Sequence, residues 1–249
     1  MDRDLYSFVR HAALELISPL PMSAYEVLLR DLFLQEPADL LDVGCGKGTL
    51  LLAFARRGWR SHGVERSPLM AEAARQAALD QHLQGRFRIT QADAAQAVEA
   101  LPSASIDCAL CIGSSHALGG LDRTLVEFSR LVRPGGNVVI GELYWRCPPQ
   151  QEFLDALGMN AADLGDLSAT LAKGPPFGLE LLASQTATPQ EFASYEAAQR
   201  HAGAAWCTAN PNHPDAPAIA ARSESWWDLH EKYTRDTFGF VVCVYRART

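Results

Sequence analysis

Apolar and polar positions follow two rhythms along this chain of 249 residues. Short apolar runs such as Leu40-Leu41-Asp42-Val43, Ile106-Asp107-Cys108-Ala109-Leu110-Cys111-Ile112 and Val138-Val139-Ile140-Gly141-Glu142-Leu143 read as buried strands. Segments with helical spacing separate them, which predicts an α/β chain built on a mostly parallel sheet. Residues 60–65 and 87–94 supply a second and third strand, 179–183 a sixth, and the aromatic, β-branched run 238–246 a seventh. Ahead of the sheet, Leu5, Phe8, Val9, Ala12, Leu16 and Ile17 share one face of a helix over 4–17, which Ser18-Pro19-Leu20-Pro21 stops. Ser23 and Glu26 predict a capping box for a second helix that turns Tyr25, Leu28, Leu29, Leu32 and Phe33 inward. Further helices are expected over 68–83, 189–209 and 216–235, and two weak ones between Tyr144 and Pro176.

The first strand runs into Gly44-Cys45-Gly46-Lys47-Gly48-Thr49 and then the apolar helix Leu50-Leu51-Leu52-Ala53-Phe54-Ala55. A strand, tight turn and helix start in that order form the nucleotide-binding corner of an α/β sheet. A pyrophosphate fingerprint has glycines at its first, third and sixth positions. Here the third glycine falls at the fifth position and Thr49 takes the sixth, which argues against a dinucleotide. Asp42 ends the strand, where it either faces the ligand or ties the turn's amides. Glu65 lies 17 residues past Gly48, near the place where an acid accepts from ribose hydroxyls, although Ser67-Pro68 behind it also suit a helix start. Asp93 closes the third strand and is either a ligand contact or a helix cap. The small-residue loop from Gly113 to Gly120 leaves the carboxyl end of the fourth strand, the side on which open α/β sheets bind ligands.

In this order the glycine loop, Glu65, Asp93, the loop after strand four and the turn Arg133-Pro134-Gly135-Gly136 resemble the class I S-adenosylmethionine (SAM) dependent methyltransferases, over about residues 38–143. The resemblance implies a Rossmann-like sheet of seven strands in the order 3-2-1-4-5-7-6, with strand 7 antiparallel, N-terminal helices and a helical lid insertion. It implies SAM as cofactor and S-adenosylhomocysteine (SAH) as product. Asp42 would engage the methionyl end, with Gly44, Cys45, Gly46 and Gly48 letting the backbone approach it. Glu65 and Arg66 would lie at the ribose, Asp93 and Ala94 at the adenine, and Cys111, Ile112 and Gly113 beside the sulfonium. Gly141-Glu142-Leu143-Tyr144-Trp145-Arg146 is similar to the end of strand five in a bacterial subgroup read as small-molecule methyltransferases. The expected organisation is one domain over 1–249: a helical cover at 1–36, a SAM-binding core at 37–144, lid insertions at 145–176 and 189–235, and strands six and seven at 177–188 and 237–249.

Charge and composition narrow the acceptor. A formal net charge of −7 leaves no basic footprint for phosphates, so nucleic acid is excluded as a partner. The family's Asn/Asp-Pro-Pro-Tyr/Phe motif for bases and glutamine is absent after strand four, which favours a small molecule. No run is apolar for the roughly 20 residues that a membrane helix needs, and a cytoplasmic protein without signal peptide is expected. The six cysteines are read as reduced, because Cys108 and Cys111 point to opposite faces of a strand. His201, Cys207 and His213 lack the spacing of a zinc site, and no metal is expected.

Methyl transfer from a sulfonium needs alignment and dryness, and a base only when the nucleophile carries a proton. His116 in the strand-four loop and Glu142 at the end of strand five are the catalytic candidates. Tyr25, Tyr144, Trp145, Tyr195 and His116 are the substrate-side candidates, with Tyr6 and Trp206 as further aromatics. The expected function is methylation of a nitrogen, oxygen or sulfur atom of a small molecule. A SAM-binding protein without catalysis and an NAD(P)-dependent oxidoreductase are the alternatives, and the missing sixth-position glycine opposes the latter.

Overall fold

A computed structural model of the chain describes residues 1–33 and 38–248. The chain runs α1 (Arg3–Arg10), α2 (Met22–Leu28), α3 (Arg30–Phe33), β1 (Asp39–Val43), α4 (Thr49–Arg56), β2 (Arg60–Glu65), α5 (Pro68–Asp80), β3 (Phe87–Gln91), α6 (Ala94–Glu99), β4 (Ile106–Ile112), α7 (Leu121–Leu131) and β5 (Val132–Trp145). It continues through α8 (Gln151–Leu157), α9 (Leu167–Leu171), β6 (Leu179–Thr186), α10 (Pro189–Ala209), α11 (Ala216–Leu229), a π-turn (His230–Thr234), α12 (Arg235–Thr237) and β7 (Phe238–Ala247). The strands form one sheet in the order β3-β2-β1-β4-β5-β7-β6, the order that the resemblance implied. β7 runs antiparallel between β5 and β6, from Asn137↔Arg246 to Trp145↔Phe238.

The apolar runs are strands because both faces of the sheet are covered. Leu40, Cys108, Leu110 and Val139 join one core, while Leu41, Val43, Ala109, Cys111, Val138 and Ile140 join the other. Cys108 and Cys111 therefore sit on opposite sides of β4, and all six cysteines are free thiols. Among the described residues no helix is long and apolar enough to cross a membrane.

Three helical expectations are corrected. The first helix ends at Arg10 rather than at 17, and residues 11–20 have no regular structure. Leu16 and Leu20 pack on the core, but the carbonyls of His11, Ala12, Leu14 and Glu15 bond to the side chains of Lys47 and Thr49 instead of continuing a helix. The capping box of Ser23 and Glu26 does not form: Pro21, at φ −71° and ψ 159°, is the N-cap and starts the helix at Met22. The segment expected as one helix over 216–235 breaks at Leu229 into the π-turn. The Phe33 side chain and the 36/37 boundary between cover and core lie outside the described residues.

Candidate active site

A cavity of about 1080 Å³ opens at the carboxyl ends of β1, β2, β4 and β5. Pockets for one drug-sized ligand run to roughly 300–1,000 Å³, so this volume stands at the upper end of what one ligand fills. One end is the glycine loop. Gly44 and Gly46 adopt φ of +72° and +54°, a left-handed backbone that a side chain would strain. Glu65 links this loop to the next: its Oε2 accepts from the Gly46 amide at 2.9 Å and its Oε1 from the Ser67 amide at 2.8 Å. Asp42 lines the same end, only 4% exposed, with no hydrogen-bond donor facing it among the described residues. Burial, and then the neighbouring Glu65 charge, push its carboxyl up to about 8.

The other end lies where β4 and β5 finish. Glu142 is buried there; Ser115 donates its hydroxyl to Oε2, and the Leu143 amide donates to Oε1 at 3.0 Å. Burial holds Glu142 above the usual carboxylate range, although both donors pull it down. His116 sits beside Ser115 in a short 3-10 turn, exposed at the rim of the cavity, and its imidazole has no hydrogen-bond partner among the described residues. Leu143, Met159, Leu164, Phe192, Phe238 and Phe240 line the cavity between these groups and provide its apolar wall.

The roof comes from α1 and α10. Arg3, Asp4, Ser7, Arg10 and His11 share the polar side of α1 and line the cavity, while Tyr6 and Val9 pack away from it on Ile219. His11 Nδ1 donates to the Ser7 carbonyl at 2.8 Å, which leaves Nε2 as an acceptor. Burial, then Arg10, lower His11 to about 4, so the ring is neutral at pH 7. Glu196 is buried between the Trp226 indole N–H, which donates at 2.6 Å, and the Arg10 guanidinium at 3.6 Å. Gln199, only 3% exposed, also lines the cavity, and its side-chain amide has no hydrogen-bond partner among the described residues.

The structure brings Asp42, Gly44, Cys45, Gly46, Glu65, Arg66, Ile112, Gly113, His116, Glu142 and Tyr195 together around this cavity. Gly48 starts α4 in the left-handed region behind the loop. Asp93, Ala94 and Cys111 do not line the cavity: Asp93 caps α6 by accepting from the Ala95 and Gln96 amides, and Ala94 and Cys111 are buried in the core.

Three substrate-side expectations are corrected, because the aromatics concerned are core. Tyr25 is fully buried, its hydroxyl bonded to Ser18 at 2.9 Å. Tyr144 packs over Gly239, and Trp145 stacks on Phe238 while its indole donates to the Ala161 carbonyl. Tyr6 and Trp206 belong to the packing of α1 with α10 and α11. Arg10, His11, Glu196, Gln199 and Ser115 went unnoticed in the sequence. The polar stripe 3, 4, 7, 10, 11 was the available signal for the first two.

Residues 41–140 match the family model described as a methyltransferase domain. A SAM-dependent methyltransferase from Thiobacillus denitrificans, solved with SAH, is similar over 100% of this chain and 99% of that one, at 26% identity and a TM-score of 0.86. One from Geobacter sulfurreducens, also with SAH, covers the same shares at 26% identity and a TM-score of 0.87. The Escherichia coli K12 protein YjhP, described as uncharacterized, is 27% identical over 93% of each chain, and its X-ray structure has a TM-score of 0.86. The residues present fit the cofactor those structures carry. The Glu65 carboxylate gives the loop end negative charge, Asp42 beside it is an unpartnered carboxyl that a sulfonium or ammonium would draw into its charged form, and Gly44 and Gly46 leave the backbone open to a close ligand.

Proposed function

The chain is a SAM-dependent methyltransferase with the class I fold, and on that premise we propose that it moves a methyl group onto a nucleophilic nitrogen, oxygen or sulfur atom of a small-molecule acceptor. The observation that carries the reading is a single cavity that joins the glycine loop, Asp42 and Glu65 to the buried Glu142–Ser115 pair. The bound cofactor supplies a methyl group on a sulfonium, open to in-line displacement. Asp42 and Glu65 hold the cationic and ribose portions, with Gly44 to Gly48, Arg66, Ile112 and Gly113 around them. The apolar wall excludes water, which strengthens every charge interaction inside. Glu142 accepts the proton of the nucleophile, and the Ser115 hydroxyl keeps the accepting carboxylate in one orientation. His116 and Tyr195 contact the acceptor from the rim and the roof. Residues 145–176 and 189–235 act as the lid and 1–36 as the cover.

Isothermal titration with SAH, followed by incubation of small-molecule extracts with methyl-labelled SAM, tests the reading. SAH should bind, and at least one amine, hydroxyl compound or thiol should gain the label and one CH2 in mass. Binding without any labelled product would replace catalysis with cofactor sensing. Label found only in protein or RNA would remove the small-molecule assignment.

A further inference from the structure

Residues 11–20 form a strap with neither helix nor strand, and it lies over the glycine loop. His11, Leu16, Ile17 and Pro19 of this strap line the cavity. Its far end is anchored in the core: Ser18 is buried, its hydroxyl pairs with Tyr25 at 2.9 Å and accepts from the Leu20 amide at 3.1 Å. Its near end is held by the loop itself. The Lys47 ammonium donates to the carbonyls of His11 at 2.9 Å, Ala12 at 3.2 Å and Leu14 at 2.5 Å. Thr49 donates to the carbonyl of Glu15. The Ala12, Leu14 and Glu15 carbonyls have no other donor among the described residues. Ile17 closes the seam, since its Cδ1 lies 2.9 Å from where a Cβ on Gly46 would be.

The chemistry suits a clasp. The carbonyls of His11, Ala12 and Leu14 lie just past the C-terminal end of α1, where the helix dipole is negative, and apart from the Leu14 amide on His11 no backbone donor among the described residues reaches them, so a cation completes them. Lys47 sits between Gly46 and Gly48 and spends its three N–H donors on this segment, leaving none for a ligand. We propose that Lys47 is a positioning residue: it clasps the strap over the cofactor, so that cofactor release requires the clasp to open, and it seats Arg10 and His11 as the roof of the acceptor end. The cofactor loop and the acceptor roof are thereby one mechanical unit, although 33 to 36 residues separate the bonded groups in the chain.

Hydrogen exchange on peptides covering 11–20, and the SAH dissociation rate followed by stopped-flow tryptophan fluorescence, test the clasp on the full chain. Removing charge-assisted hydrogen bonds predicts that Lys47→Met raises both strap exchange and the dissociation rate by about tenfold or more, with exchange in the β4 peptide unchanged. Lys47→Arg, which keeps the donors, should restore most of both effects. Thr49→Val should move both in the same direction by less, and it serves if Lys47→Met folds poorly. Unchanged strap exchange in Lys47→Met would overturn the clasp. A looser strap with an unchanged dissociation rate would overturn its coupling to the cofactor. The exchange measurement needs no ligand, so it fails independently of the cofactor assignment.

Discussion

Asp42 should release a proton when SAM binds. Its carboxyl is 4% exposed, faces no donor among the described residues, and is pushed up to about 8 by burial and by Glu65. At pH 7 roughly nine molecules in ten then hold the proton. A positive charge within about 4–6 Å lowers a carboxyl by roughly 1–3 pKa units, which takes Asp42 to between about 5 and 7 in the complex. Binding at pH 7 therefore releases about 0.4–0.9 proton, and SAM affinity rises with pH until about 8. Titration calorimetry in phosphate and in Tris reads this directly, as the slope of the observed enthalpy against the buffer's ionisation enthalpy. SAH, neutral at sulfur, should release less, and Asp42→Asn should release none from this site.

The same group sets a stability trend. A carboxyl whose folded pKa lies above its unfolded value of 3.8 keeps more protons in the folded state. Stability of the ligand-free protein is then highest, as far as Asp42 is concerned, below about pH 4 and falls as pH rises toward 8. The loss by pH 7 is on the order of 4 kcal/mol, so Asp42→Asn should raise the Tm of the ligand-free protein at pH 8 and leave it nearly unchanged at pH 4. Equal binding enthalpies in the two buffers, together with superimposable stability curves for wild type and Asp42→Asn, would refute the reasoning.

Four other substitutions test the site. Glu142→Gln should lower turnover by roughly 10²–10⁴-fold with SAH affinity near wild type, and the wild-type rate should fall on the acid side at a pH above the usual carboxylate range, because burial raises Glu142 and acid removes its accepting form. His116→Ala should act mainly on the acceptor KM, since the imidazole has no orienting partner; steady-state kinetics separate the two residues, and the opposite split would exchange their roles. Glu65→Ala should weaken SAM by about 1–3 kcal/mol and also lower the Tm, because the Gly46 and Ser67 amides lose their acceptor, whereas Asp93→Ala should cost about 0.5–2 kcal/mol of stability through the lost cap with a smaller effect on SAM affinity.

The buried strands and the glycine corner were legible in the residues because their signals are local. Continuous apolar runs mark strands covered on both faces, and Gly44 and Gly46 mark a left-handed turn wherever the chain goes next. The family resemblance then added the order of the strands and the antiparallel placement of β7 between β5 and β6, which spacing does not carry. The end of the first helix was misread for a physical reason. Leu16 and Ile17 keep helical spacing, but the carbonyls of His11, Ala12, Leu14 and Glu15 find donors on Lys47 and Thr49, and those donors are invisible to a local pattern. The aromatics were misassigned for a related one: Tyr25, Tyr144 and Trp145 are as apolar in sequence as Phe192, Phe238 and Phe240, and only packing decides which ring faces a core and which a cavity. The sequence by itself thus determined the α/β class, the buried strands and the cofactor corner, whose residues are neighbours in the chain. The roof of Arg10, His11, Glu196 and Gln199, the Lys47 clasp and the burial of Glu142 were decided by tertiary structure, because each depends on which face of a helix or strand another element covers.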